Sequence, residues 1–184
     1  MNSVEDIINF LNQHNLSVTT AESCTAGLVA AMMASVSGCG SALQCGYVVY
    51  TEEAKKSCLG VSLQTIQAFG LTSEEVAREM AIGALHKCSS QLIVAITGTA
   101  ESDDCLNGII CFAYALRTQS GYRLLSETNS FSGSRNEVIN AAAMHAILSL
   151  PTIYEKIQSF PEIKATTSEQ ALSEQALSGK EPLE

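Results

Sequence analysis

Apolar positions along the chain switch repeatedly between two periods. Val4, Ile7, Ile8 and Leu11 follow the i, i+3, i+4, i+7 spacing of an amphipathic helix over residues 3–13, with Ser3 and Asp6 as its start signal. Residues 16–21 are apolar or β-branched and predict a strand. A polar knot follows, and residues 28–33 form a small-residue helical run. A glycine-rich turn over 36–41 leads into a strand at 42–50. Thr51 caps a short helix over 52–59 that Gly60 stops, and residues 62–69 form another, ended by Gly70. The Thr72-Ser73-Glu74-Glu75 capping box opens a long helix through Leu85.

Within residues 91–97 the run Leu92-Ile93-Val94-Ala95-Ile96 is continuously apolar, the composition of a strand covered on both faces as in parallel sheets. A polar loop over 98–107 separates it from strands at 108–117 and 122–131. The short loop at Gly121 makes these two an antiparallel hairpin, so the sheet is mixed. A second capping box, Ser134 to Glu137, opens a helix through Ile147 that Pro151 is expected to stop, with residues 152–158 adding a turn or two. The domain is expected to span residues 1–159. Beyond it, S-E-Q-A-L at 168–172 recurs at 173–177 with few apolar positions, so residues 160–184 read as an acidic polar tail that lacks the apolar face needed to offset ordering entropy.

Composition narrows the function classes. The 184 residues suit one core, and a net charge of −9 offers no basic surface for a nucleic-acid backbone. No apolar run approaches the ~20 residues that span a bilayer, and no signal-peptide pattern is present, so a cytoplasmic protein without membrane contact is expected. Seven cysteines in odd number, with no C-x-x-C, read as reduced thiols. The three histidines lack ligand spacing, so neither a metal nor a cofactor is expected.

The strand–turn–helix over 18–28 is where chemistry is expected. Such a turn aims backbone N–H groups and the positive end of a helix dipole at one place, and Ser23, Cys24 and Thr25 add two hydroxyls and a thiol. It suits holding a phosphate or carboxylate, presenting a nucleophile, or simply capping the helix.

The blocks T-A-E-S-C-T-A-G at 20–27, V-x-Y-T-x-x-A-K at 48–55, L-G-V at 59–61, S-E-E-V-A at 73–77 and F-x-G-x-R at 131–135, in this order, resemble the CinA C-terminal domain family. That resemblance implies a three-layer α/β/α domain with a mixed, mostly parallel sheet. It also implies hydrolysis of the carboxamide of a pyridine mononucleotide, an anionic small molecule, with room for a homo-oligomer. By resemblance, Lys55 takes a proton, Tyr50 relays or orients, and Ser23, Cys24, Thr25, Thr97, Gly98 and Arg135 contact substrate. The family's Gly-Ser-Ser is here Gly38-Cys39-Gly40-Ser41, leaving Ser41 and Cys39 as nucleophile candidates. Its glycine-rich loop after Thr97-Gly98 is replaced by Glu101-Ser102-Asp103-Asp104, where each acid would oppose an anionic nucleotide by about 1 kcal/mol. The alternative is a catalytically silent paralogue that binds a small molecule or another protein.

Overall fold

The computed structural model describes residues 3–164. Helix α1 (Val4–Gln13) opens on a capping box in which the Ser3 hydroxyl accepts from the Asp6 N–H and the Asp6 carboxylate accepts from the Ser3 N–H. Then come β1 (Val18–Glu22), α2 (Leu28–Ala34), a 3-10 turn (Cys39–Ser41), β2 (Leu43–Val48), α3 (Glu52–Leu59), α4 (Leu63–Phe69), α5 (Glu74–Lys87) and β3 (Leu92–Thr99). The chain continues through β4 (Ile109–Arg117), β5 (Gly121–Ser130), α6 (Arg135–Leu148), α7 (Leu150–Ile157) and β6 (Ile163–Lys164).

The six strands form one sheet in the order β2-β1-β3-β4-β5-β6. Alternate side chains of the central strands enter two separate cores, the consequence of the two-residue strand period. Leu92, Val94, Ile96, Ile110, Phe112 and Tyr114 face α1, α2, α6 and α7, whereas Ile93, Ala95, Cys111, Ala113 and Ala115 face α3, α4 and α5. The sheet is therefore the middle of three layers, as expected, and it is mixed. It is not mostly parallel: β1 pairs in parallel with β2 and β3, while β3–β4, β4–β5 and β5–β6 are antiparallel. The apolar run of β3 fits either pairing, because burial on both faces, not strand direction, determines that composition.

Two boundaries differ from expectation. Pro151 lies in the first turn of α7, where its missing N–H is harmless, so it starts a helix there. Residues 160–164, assigned above to the tail, stay with the domain. Phe160 packs on the core, β6 pairs with β5, and Glu162 accepts a hydrogen bond from Ser120 at 2.8 Å. The remainder of the expected tail lies outside the described residues.

Candidate functional site

Register assembles the site. Glu22, the last residue of β1, sits opposite Val48 of β2 and Ile96 of β3, so the residues following these three positions meet at one end of the sheet. The chain leaves β1 for β2 on one side while β3 lies on the other, the reversal at which open α/β sheets leave a crevice. A cavity of about 230 Å3 there is lined by Ser23, Cys24, Tyr50, Lys55, Thr97, Gly98, Thr99, Glu101 and Arg135, with Leu71 and Thr72 on its wall.

The turn after β1 is held from beneath by Glu22, which is fully buried. Its Oε1 accepts from the Thr20 hydroxyl (3.0 Å) and the Ala30 N–H (2.9 Å); its Oε2 accepts from the Thr25 hydroxyl (2.8 Å), the Gly27 N–H (2.9 Å) and the Val29 N–H (3.1 Å). Ala26 and Gly27 take left-handed φ of 51° and 93°, folding α2 back over the carboxylate. The N-terminus of α2, which in sequence suited a ligand's anion, a nucleophile or a simple cap, is thus filled by the protein's own anion. Thr25 is spent on the same carboxylate and lies outside the cavity, contrary to its expected role in substrate contact.

Ser23 stands just above this anchor, with its N–H donated to the Ile96 carbonyl at 2.9 Å. Its hydroxyl is 2.7 Å from Lys55 Nζ. Lys55 comes from the first turns of α3, which Thr51 caps, and is only 1% exposed. Besides Ser23, its amine reaches the carbonyls of Val49 (3.1 Å) and Tyr50 (3.2 Å). Burial lowers the Lys55 pKa, opposed by the nearby Cys24 and Glu52. As an ammonium, Lys55 donates to all three acceptors, the Ser23 hydroxyl and the two carbonyls; once neutral, it keeps two N–H groups for the carbonyls, which can only accept, and can turn its lone pair to the Ser23 O–H. The Cys24 thiol is pushed up to about 12, chiefly by burial, so at neutral pH it is no thiolate nucleophile.

On the rim, Tyr50 is half exposed and its hydroxyl accepts from Arg135 Nη2 at 2.9 Å; only its carbonyl touches Lys55. Arg135 opens α6, and no carboxylate among the described residues lies within ion-pair distance of it. Thr97 is buried, with its hydroxyl donated to the Leu71 carbonyl at 2.9 Å, which braces the wall. A Cβ at Gly98 would lie 2.5 Å from the Ile109 carbonyl oxygen, so glycine lets β3 approach β4 closely on the cavity floor. Glu101 of the replaced loop lines the same cavity.

Ser41 and Cys39 are elsewhere. The Ala42 carbonyl accepts from the Val18 N–H, placing the 3-10 turn at the opposite end of β1, on the order of 16 Å from Ser23 at a strand's rise per residue. There Ser41 donates to Asn12 Oδ1 at 2.8 Å and Cys39 faces the Ala34 carbonyl. A strand's length separates both from the cavity, so neither belongs with Lys55. Glu22 is the residue that sequence reasoning missed. Its signal was an acidic residue ending an apolar strand directly before a helix start. Among the described residues no three His, Cys, Asp or Glu side chains cluster as metal ligands, and no helix is long and apolar enough to cross a membrane.

Comparison with known proteins adds the following. The CinA C-terminal domain model matches residues 2–153. A CinA-like protein of Chloroherpeton thalassium is 35% identical over 153 residues, covering 79% of this chain and 36% of that protein. The chain spans about a third of the length of the first such relatives. The nicotinamide-nucleotide amidohydrolase PncC of Escherichia coli is 35% identical over 150 residues, covering 79% of this chain and 89% of that protein. Crystal structures of CinA superfamily proteins from Escherichia coli (TM-score 0.74, 29% identity, 83% of this chain and 91% of that one) and Klebsiella pneumoniae (0.77, 26%, 83% and 96%) share the fold.

Proposed function

The chain belongs to the CinA C-terminal domain family, and from that premise we propose that it hydrolyses the carboxamide of a pyridine mononucleotide to the carboxylate and ammonia, with Ser23 as nucleophile and Lys55 as its base. The observation that carries this reading is the 2.7 Å contact between the Ser23 hydroxyl and a buried, pKa-lowered Lys55 amine inside the cavity. A serine hydroxyl is a weak nucleophile until an adjacent base accepts its proton, and a desolvated lysine is such a base.

In this mechanism neutral Lys55 takes the Ser23 proton as the oxygen attacks the amide carbon. The C–N bond breaks, the lysine ammonium returns a proton to the leaving nitrogen, and ammonia departs from a Ser23 ester. Water, deprotonated by the same amine, then attacks the ester carbon; the bond to Ser23 Oγ breaks, the ammonium returns its proton to that oxygen, and the acid released ionises to the carboxylate. The cavity, at about 230 Å3, is smaller than the roughly 300–1,000 Å3 of typical ligand pockets. It is sized for the carboxamide and ring, leaving the ribose phosphate at the mouth beside Tyr50 and Arg135.

Glu101 supports the second reading, a silent binding domain, because its carboxylate lines the cavity that an anionic substrate must enter. Ammonia release from nicotinamide mononucleotide by wild type, Lys55→Met and Glu101→Gly separates the two. Turnover by wild type, its loss in Lys55→Met and a several-fold lower KM in Glu101→Gly are expected. No turnover by either wild type or Glu101→Gly would favour the silent domain.

A further inference from the structure

Asp and Glu outnumber Lys and Arg by 19 to 10 in this chain, yet one cavity carries only basic side chains among its charged groups. It holds about 330 Å3 between the end of α3, which contributes Lys56, Leu59 and Gly60, and the end of α5, which contributes Gly83, His86 and Lys87. No residue lines both this cavity and the candidate site. Gly83 lets the two helices meet, since a Cβ there would lie 1.9 Å from the Leu59 carbonyl oxygen. Lysine near a helix C-terminus ordinarily answers the helix dipole, but both ends are already closed. The Gly60 and Val61 N–H groups donate to the Lys56 and Lys55 carbonyls, and the Arg117 guanidinium donates to the Leu85 and Cys88 carbonyls at the end of α5. Lys56 and Lys87 are exposed, and among the described residues no carboxylate lies within ion-pair distance of either. Glu52 and Glu53, in the first turn of α3, do not line the cavity.

We propose that this cavity binds a small organic phosphate, with the phosphate dianion held between Lys56 and Lys87. Two ammonium groups on one cavity repel each other, and a dianion turns that repulsion into attraction; lysine serves as the point charge for it. A phosphomonoester carries about −1.5 to −2 at neutral pH, which matches two lysines better than the single charge of a carboxylate. His86, whose ring meets that of Tyr122 edge-on with centroids 6.4 Å apart, adds an imidazole to the same wall. Ser57 contributes less, because its hydroxyl already donates to the Glu53 carbonyl at 2.8 Å. The volume lies at the lower end of the roughly 300–1,000 Å3 of small-molecule pockets, leaving room beyond the phosphate for an organic body against Leu59 and Gly83. A nucleic-acid backbone needs a basic surface far wider than one cavity, and a net charge of −9 provides none. Occupancy of this cavity does not depend on the proposed chemistry.

Titration of the isotope-labelled full chain with phenyl phosphate at constant ionic strength, followed by NMR at the amides of residues 56–60 and 83–87, tests the site. In wild type these amides should shift together and saturate with a Kd of about 1 mM or below. Lys56→Gln/Lys87→Gln should bind at least about tenfold more weakly, whereas Lys56→Arg/Lys87→Arg, which keeps both charges, should stay within about threefold of wild type. Melting temperatures of both double variants should hold, since the two lysines are exposed. Arg135→Gln should leave the shifts in place, because Arg135 lines the other cavity. Inorganic phosphate, with no body to place against Leu59, should bind at least about threefold more weakly than phenyl phosphate. No saturating shift at these amides, shifts that survive Lys56→Gln/Lys87→Gln, or inorganic phosphate binding as tightly as phenyl phosphate would overturn the proposal.

Discussion

Replacing Glu22 with glutamine changes one atom type at the anchor beneath Ser23. The better amide orientation places Nε2 where Oε1 was, because the Thr20 hydroxyl can turn and accept there. The Ala30 N–H then faces another donor, while Oε2 keeps Thr25, Gly27 and Val29. An orphaned buried donor costs about 1–3 kcal/mol, and three bonds that lose their charge assistance cost some tenths to about 1 kcal/mol each. Relief from keeping a buried carboxylate charged offsets part of this. The net expectation is destabilisation by about 3 kcal/mol. For a domain of this size each kcal/mol moves Tm by about 2–4 °C, so Glu22→Gln should melt about 6–12 °C below wild type. Thermal unfolding followed by circular dichroism gives the number. A shift below about 2 °C would show that the five donors are satisfied in some other way and that Glu22 does not hold the turn.

Further outcomes follow from the same geometry. The acid limb of kcat/KM should have an apparent pKa below the ordinary lysine value of about 10.4 and vanish with the activity in Lys55→Met. Between the lowered folded value and the unfolded value the unfolded state binds more protons, so wild-type stability should rise with pH there, and denaturant titrations of Lys55→Met should lack that slope. Gly83→Ala would place a Cβ 1.9 Å from the Leu59 carbonyl oxygen, pushing α3 and Lys55 away from α5. A loss of about 1–3 kcal/mol in urea unfolding and a lower kcat are expected, and an unchanged kcat would uncouple this packing from the site. Cys39→Ala and Ser41→Ala, at the far end of β1, should leave steady-state ammonia release within about twofold of wild type; abolition by either would return the nucleophile to that turn.

The strands and helices were legible because both periods are clean and most helices carry explicit caps, Ser3, Thr51, Ser62 and Ser73 among them. Lys55, Tyr50, Thr97 and Arg135 could be singled out because the family resemblance carries them: Tyr50 and Lys55 lie in the block at 48–55, Arg135 closes the block at 131–135, and Thr97 precedes the replaced loop. What stayed hidden depends on which end of a strand a residue occupies and where its side chain turns. Ser41 precedes β2 and Tyr50 follows it, so a short separation in sequence became the length of the sheet. Thr25 turned inward because Glu22 needed a donor, and no local pattern shows such a demand. The antiparallel majority of the sheet was obscured because strands buried on both faces look alike in either direction.

The central claim is that Ser23, activated by Lys55, attacks the amide. Its most direct measurement is ammonia release from nicotinamide mononucleotide by wild type, Ser23→Ala and Ser41→Ala assayed side by side. Wild type and Ser41→Ala should turn over alike, while Ser23→Ala, with Lys55 still in place, should fall by at least about 10³-fold. A Ser23→Ala enzyme that keeps wild-type turnover would contradict the account.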